Sequence, residues 1–162
     1  MMPIGPLMKE HRLIEKMISL IGHESSRIAD ERKVDPVFID TAVDFIRTYA
    51  DRTHHGKEED VLFRDLEAKD LSDEHRGVMD ELVQEHVTAR KTVGELVEAK
   101  ERYLQGEAAA LDTILEKLDA LVEMYPEHIR KEDEDFFLPV MEYFGQAERD
   151  ACWTKCENLI GV

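Results

Sequence analysis

Residues that interrupt regular structure are scarce: the 162-residue chain holds eight glycines and five prolines. So few breakers argue against a loop-rich or low-complexity architecture and favour long helices. Cysteine is scarcer still. Cys152 and Cys156 lie four apart in CWTKC, a spacing that is neither the CxxC of redox helices nor that of a zinc ribbon. They read as free structural thiols sharing one helix face. No stretch approaches the roughly 20 apolar residues that span a bilayer, so no membrane is expected. Basic residues are outnumbered, 21 Lys and Arg against 37 Asp and Glu, for a net charge of −16. A nucleic-acid partner would need a face where cations dominate, so none is expected. The opening MMPIGPLMKEHRLIEK lacks the basic-then-apolar order of a signal peptide, which points to a cytoplasmic protein.

What is present is a mixture of 43 % hydrophobic and 36 % charged residues, of a length that suits one domain over residues 1–162. Asp35 before Pro36 reads as an N-cap followed by the residue favoured at the first helical position, and Ser72 as a second N-cap. Gly106 and Gly145 stand where helices should end. The intervening segments, about 4–29, 36–69, 72–105 and 108–143, are long helices, and 147–160 is a short fifth. Short connections make neighbours antiparallel, so the expected fold is all-α, an up-down-up-down four-helix bundle. Pro126 and Pro139 should bend or break the fourth helix locally.

Helical spacing sorts the histidines. His11 lies on the stripe Leu7, His11, Ile14, Ile18, and His86 on Met79, Leu82, His86, Ala89. Behind His54 come Ala50, Ile46, Val43 and Ile39; behind His55 come Asp51, Thr48 and Asp44. His54 is therefore expected to face the core and His55 water. Residues four apart stack on one face, which pairs His54 with Glu58 and, in the fourth helix, His128 with Glu132. Two inward glutamates are costly unless a cation compensates their charge.

Level is the second criterion. Reflecting one residue of an antiparallel hairpin through its turn gives the residue opposite. Reflection through the turns near 33–34, 71–72 and 106–108 brings His11, His54/Glu58, His86 and His128/Glu132 to one height. His75 shares a face with His86 but lies about 16 Å along the axis, and His23 also misses the level. His55, Glu59, Glu67, His23 and His75 are read as ordinary solvated or packing residues, and Tyr49, beside Phe45, as a core residue. The chain also repeats itself: Glu10-His11 and Glu85-His86 open two similar halves.

Four imidazoles and two carboxylates suit a pair of first-row transition ions. Two histidines per ion, both glutamates bridging and a solvent-derived oxo or hydroxo bridge would leave an open position for a small molecule. The pattern H…HxxxE…H…HxxxE, carried from LMKEHRLIEK to EDFFLPVMEYF, resembles the hemerythrin-like, or HHE cation-binding, family. That resemblance implies a non-haem centre of two Fe ions, oxo- or hydroxo-bridged, held by His11, His54, Glu58, His86, His128 and Glu132. Oxygen-carrying hemerythrins have two histidines one turn apart on the third helix, where this chain has Leu82 and Arg90 beside His86. They also end with His followed five residues later by Asp, which makes Asp133 the alternative to Glu132.

The expected function is binding of, or reaction with, O2, NO or peroxide. As an enzyme the protein would be a peroxide- or NO-handling oxidoreductase. The alternatives are a metal- or redox-responsive sensor or interaction module, and an iron storage or donation protein.

Overall fold

The computed structural model describes residues 2–159. Four long helices and one short helix account for nearly all of them: α1 (Ile4–Glu31), α2 (36–67), α3 (Asp73–Leu104), α4 (110–143) and α5 (Gln146–Asn158). Residue 160, the expected end of the last helix, lies outside the described residues. Among the described residues no strand occurs, and no helix is long and apolar enough to cross a membrane.

The caps act where the sequence places them. The Asp35 carboxylate accepts hydrogen bonds from Val37 N and Phe38 N at 3.0 and 3.3 Å, with Pro36 at the first helical position. Ser72 Oγ accepts from His75 N at 3.2 Å. Gly106 takes the left-handed conformation, φ +96°, just past α3. Gly145 acts differently from expectation: it opens α5, donating its N–H to the Glu148 carboxylate at 2.9 Å.

Neighbouring helices run antiparallel, as cross-links show. Between α1 and α4, His11 meets Asp133, Ser25 meets Asp119 and Arg32 meets Asp112. Between α3 and α4, Glu85 meets His128 and Glu95 meets Lys117; between α2 and α3, Asp40 meets Lys100 and Asp51 meets Arg90. In each pair one residue number rises as the other falls.

Two departures concern helix form. α4 is not broken at Pro126: the α-helix runs from Ala110 to Arg130, widens into π-helix over Lys131–Phe136 and tightens to a 3-10 turn at Met141–Tyr143. α2 likewise becomes π-helical over Ile46–His55 and Glu58–Phe63. The wider turns occur where chemistry-bearing residues cluster, as π segments commonly do.

The core has two apolar blocks. One holds Ile14, Ile18, Val43, Ile46, Val93, Leu96, Ile114 and Leu118; the other holds Ile4, Leu7, Leu62, Leu66, Met79, Leu82, Phe136 and Phe137, with Cys152 and Cys156 of α5. Along α1, α2 and α3 the buried histidines and glutamates fall between them, and on α4 His128 and Glu132 flank Ile129 of the first block, ahead of Phe136 of the second. Both cysteines are free and buried.

Candidate metal centre

All four long helices contribute to one buried polar layer. His11 comes from α1, His54 and Glu58 from α2, His86 from α3, and His128 and Glu132 from α4; each is buried. The structure thus brings the six residues picked from the sequence together. His11 Nε2 lies 3.0 Å from Glu132, His54 Nε2 3.1 Å from Glu58, His128 Nε2 3.2 Å from Glu132 and His86 Nε2 3.3 Å from Glu58. His86 Nε2 and His128 Nε2 face each other at 3.2 Å.

His55 departs from expectation. It is 2 % exposed, with its ring stacked on His86 at 3.8 Å and 13°. The reason is the π-helix. In an α-helix the face of Ala50 continues through the residue four on; in the wider π turn the residues four and five on flank the same face. Those are His54 and His55. The backbone shows the wider bond directly, with Gly56 N donating to Asp51 O five residues back.

Two quartets of donors result: His11, His54, Glu58 and Glu132; and His55, Glu58, His86 and His128, the donor atoms of each within 4.8 Å of one another. Donors bound side by side to one ion by bonds of about 2.1 Å stand about 3 Å apart, which matches the separations above. His11 Nε2, His54 Nε2 and all four oxygens of Glu58 and Glu132 are buried without a hydrogen-bond partner, close to one another but not aligned. Orphaned buried polar atoms are costly, and a carboxylate more so. These residues fit a pair of metal ions.

Around them lies a ring of acids. The outward nitrogen, Nδ1, of each imidazole donates to a carboxylate: His11 to Asp133 (2.7 Å), His54 to Glu10 (2.9 Å), His86 to Glu59 (2.6 Å), His128 to Glu85 (2.6 Å) and His55 to Asp51 (3.3 Å). Such partners fix the tautomer with the proton outside and turn Nε2 inward as a donor to metal. Asp133 therefore stands outside the cluster, not in place of Glu132, and Glu59 is no bland neighbour. Cations tie down each acid in turn: Arg12 on Asp133, Lys57 on Glu10, Lys131 on Glu85, and Arg90 on both Glu59 and Asp51. The doublets Glu10-His11, Glu85-His86, Glu58-Glu59 and Glu132-Asp133 were the available sequence signal for the acids.

Electrostatics follow the same layering. Burial and the Glu132 charge push the Glu58 carboxyl up, but His54 and His86 overcome both and hold it below the usual range. Glu132 is likewise held low against burial, chiefly by His128. Burial lowers the imidazoles, yet the carboxylates win: His54 rises to about 10, His86 to about 11 and His128 to about 9. His55 is the exception, lowered by burial to about 4.

Beside the cluster is a cavity of about 260 Å³ bordered by His55, Asp51, Arg47, Arg90 and Tyr125. The Tyr125 hydroxyl is buried and without a hydrogen-bond partner. Other candidates fall away from the cluster. Tyr49 stacks on Phe45, His75 bonds the Tyr143 hydroxyl at 2.8 Å, His23 borders a groove with Gly22 and Val122, and Glu67 is exposed.

The family model of the hemerythrin HHE cation-binding domain matches residues 2–138, from the start of α1 into α4 as far as Leu138. No curated protein and no solved structure gives a significant match. With that match over most of its length, the chain belongs to the hemerythrin HHE cation-binding family.

Proposed function

We propose that the protein holds a non-haem di-iron centre and binds or reacts with O2, NO or peroxide at a position its own donors leave open. His11, His54, Glu58, His86, His128 and Glu132 would hold the ions, with the glutamates shared between them. The observation that carries this reading is the set of inward donor atoms lacking any other partner, backed by an acid on every imidazole. Two buried carboxylates facing each other cost several kcal/mol unless cations compensate them.

Bound iron would supply electrons to, or accept them from, a small redox-active molecule. The chain's own residues do the rest. The outer acids keep each Nδ1 protonated and each Nε2 free. The two apolar blocks exclude bulk water from the layer. The cavity bordered by His55, Asp51, Arg90 and Tyr125 gives a small molecule a place beside the layer.

The test is metal content per chain after expression with iron and purification without chelator, followed by absorption spectra with O2, NO or peroxide added. About two Fe per chain with a ligand-sensitive spectrum is expected. Protein that takes up no iron, or whose iron ignores all three molecules, overturns the proposal.

A further inference from the structure

We propose that Cys152 and Cys156 are a modification site: peroxide joins them in a disulfide that the intact α5 helix cannot hold, and the loosened helix uncovers Lys57. The inference needs no metal and stands apart from the di-iron reading.

The case begins with the pair. Cys152 and Cys156 lie four apart on α5, so their side chains stack on one face. Both are buried within the second apolar block. The two thiols also interact. Hydrogen bonding to Cys156 holds the Cys152 thiol below its usual range, while Cys152 and burial push the Cys156 thiol up. Cys152 is thus the better nucleophile, with Cys156 beside it to resolve what forms.

The chemistry balances with peroxide as the only co-reactant. The Cys152 sulfur attacks one peroxide oxygen, the O–O bond breaks and a first water leaves. Cys156 then attacks the Cys152 sulfur, the S–O bond breaks, and the S–S bond forms as a second water leaves. Both thiol protons end in water; the sulfurs are oxidised and the peroxide oxygens reduced.

Helix geometry supplies the consequence. Residues four apart on an α-helix hold their Cβ atoms about 5–6 Å apart, whereas a disulfide draws them to about 3.5–4.5 Å. The helix must therefore give. Its weak end is near: Cys156 lies in the last turn of α5, which ends at Asn158, and helix ends open at little cost. The same opening admits the oxidant to thiols otherwise enclosed.

What α5 covers is the third point. It packs on the 58–63 stretch of α2, and Cys156 faces the charges of Lys57 and Glu10. Lys57 is paired with Glu10, which in turn accepts from His54. The Lys57 side chain is 0 % exposed, whereas Lys131, its counterpart on α4, is 13 % exposed. Release of the last turn of α5 removes the cover on the Cys156 side of Lys57.

The experiment treats full-length, metal-free protein with hydrogen peroxide. Intact mass should fall by two hydrogens, with no free thiol left. Lys57, shielded from an amine-acylating reagent in the reduced protein, should be acylated after oxidation and shielded again once a thiol reductant is added. Amides in the last turn of α5 should exchange at least about tenfold faster, while those of α1 to α4 keep their rates. Cys156→Ser should lose no mass, carry a sulfenic acid on Cys152 that dimedone traps, and keep Lys57 shielded. Thiols that survive peroxide, or a disulfide that leaves Lys57 shielded, overturn the proposal. So does oxidation that speeds exchange throughout the bundle.

Discussion

The two halves of the bundle, α1–α2 and α3–α4, carry nearly the same site. Glu10 serves His54 as Glu85 serves His128, Glu59 serves His86 as Asp133 serves His11, and Lys57 and Lys131 pin matching acids. They differ in two respects. Only α2 offers the Asp51–His55 pair, where α4 has Tyr125 and Ile129; and Lys57 is wholly enclosed, whereas the Lys131 side chain is 13 % exposed. A donor set can thus be doubled with its supporting shell intact while one half acquires an extra group. Equivalence holds where each residue answers to the shared cluster and fails where only its own helix turn decides.

The largest expected effect tests the equivalence. Glu58→Ala and Glu132→Ala should each abolish binding of both ions, seen as loss of metal in elemental analysis; retention of metal by one variant alone would make the two carboxylates unequal.

Next are the outer acids. Glu10→Gln and Glu85→Gln should each weaken metal binding by about 10–100-fold, measured by competition with a chelator. Lys57→Met should weaken binding more than Lys131→Met, because no water can replace the enclosed ammonium beside Glu10. Equal effects would show that burial of Lys57 is incidental.

A pH series separates His54 from His55. His54, at about 10 in the fold against 6.5 otherwise, stabilises the metal-free protein fully below 6.5; that contribution is lost as pH rises through about 10. His86 and His128 follow the same sign. For His55, at about 4, the sign reverses: stability falls as pH drops from 6.5 toward 4. Thermal melts of metal-free His55→Gln should therefore lose part of the acid-side decline and keep the alkaline one. Metal uptake at neutral pH should also release protons from the raised imidazoles, which a pH indicator would count.

The smallest effect lies in the connections. Asp35 caps α2 with two hydrogen bonds and Ser72 caps α3 with one. Replacement of either by alanine should cost about 1 kcal/mol, Asp35→Ala the more, by denaturant unfolding.

Much of this was legible in the sequence because an antiparallel bundle converts residue number into height. Reflecting His11, His54, His86 and His128 through three turns needs only the turn positions, and Asp35, Ser72 and Gly106 mark those. What failed was azimuth. Reading the faces of His54 and His55 at α-helical spacing assumes 3.6 residues per turn, and Ile46–His55 does not keep to it. The outer acids were hidden for another reason: Glu10, Glu59 and Glu85 are partly exposed, so apolar periodicity files them with the solvent face although their carboxylates point sideways onto a neighbouring helix. Arg90 shows the same limit. One turn beyond His86 it reads as a missing imidazole, yet in space it shares Asp51 with His55.

The buried donors are contributed from residue 11 near one end of the chain to residue 132 near the other, with every long helix supplying at least one. Ions held there would act as a clasp on the whole bundle. Detaching any single helix would strip a donor from the centre, so partial opening would be suppressed along with global unfolding. Release of metal would then be gated by helix displacement, and its rate should track the slowest-exchanging amides of the bundle rather than the strength of the chelator outside.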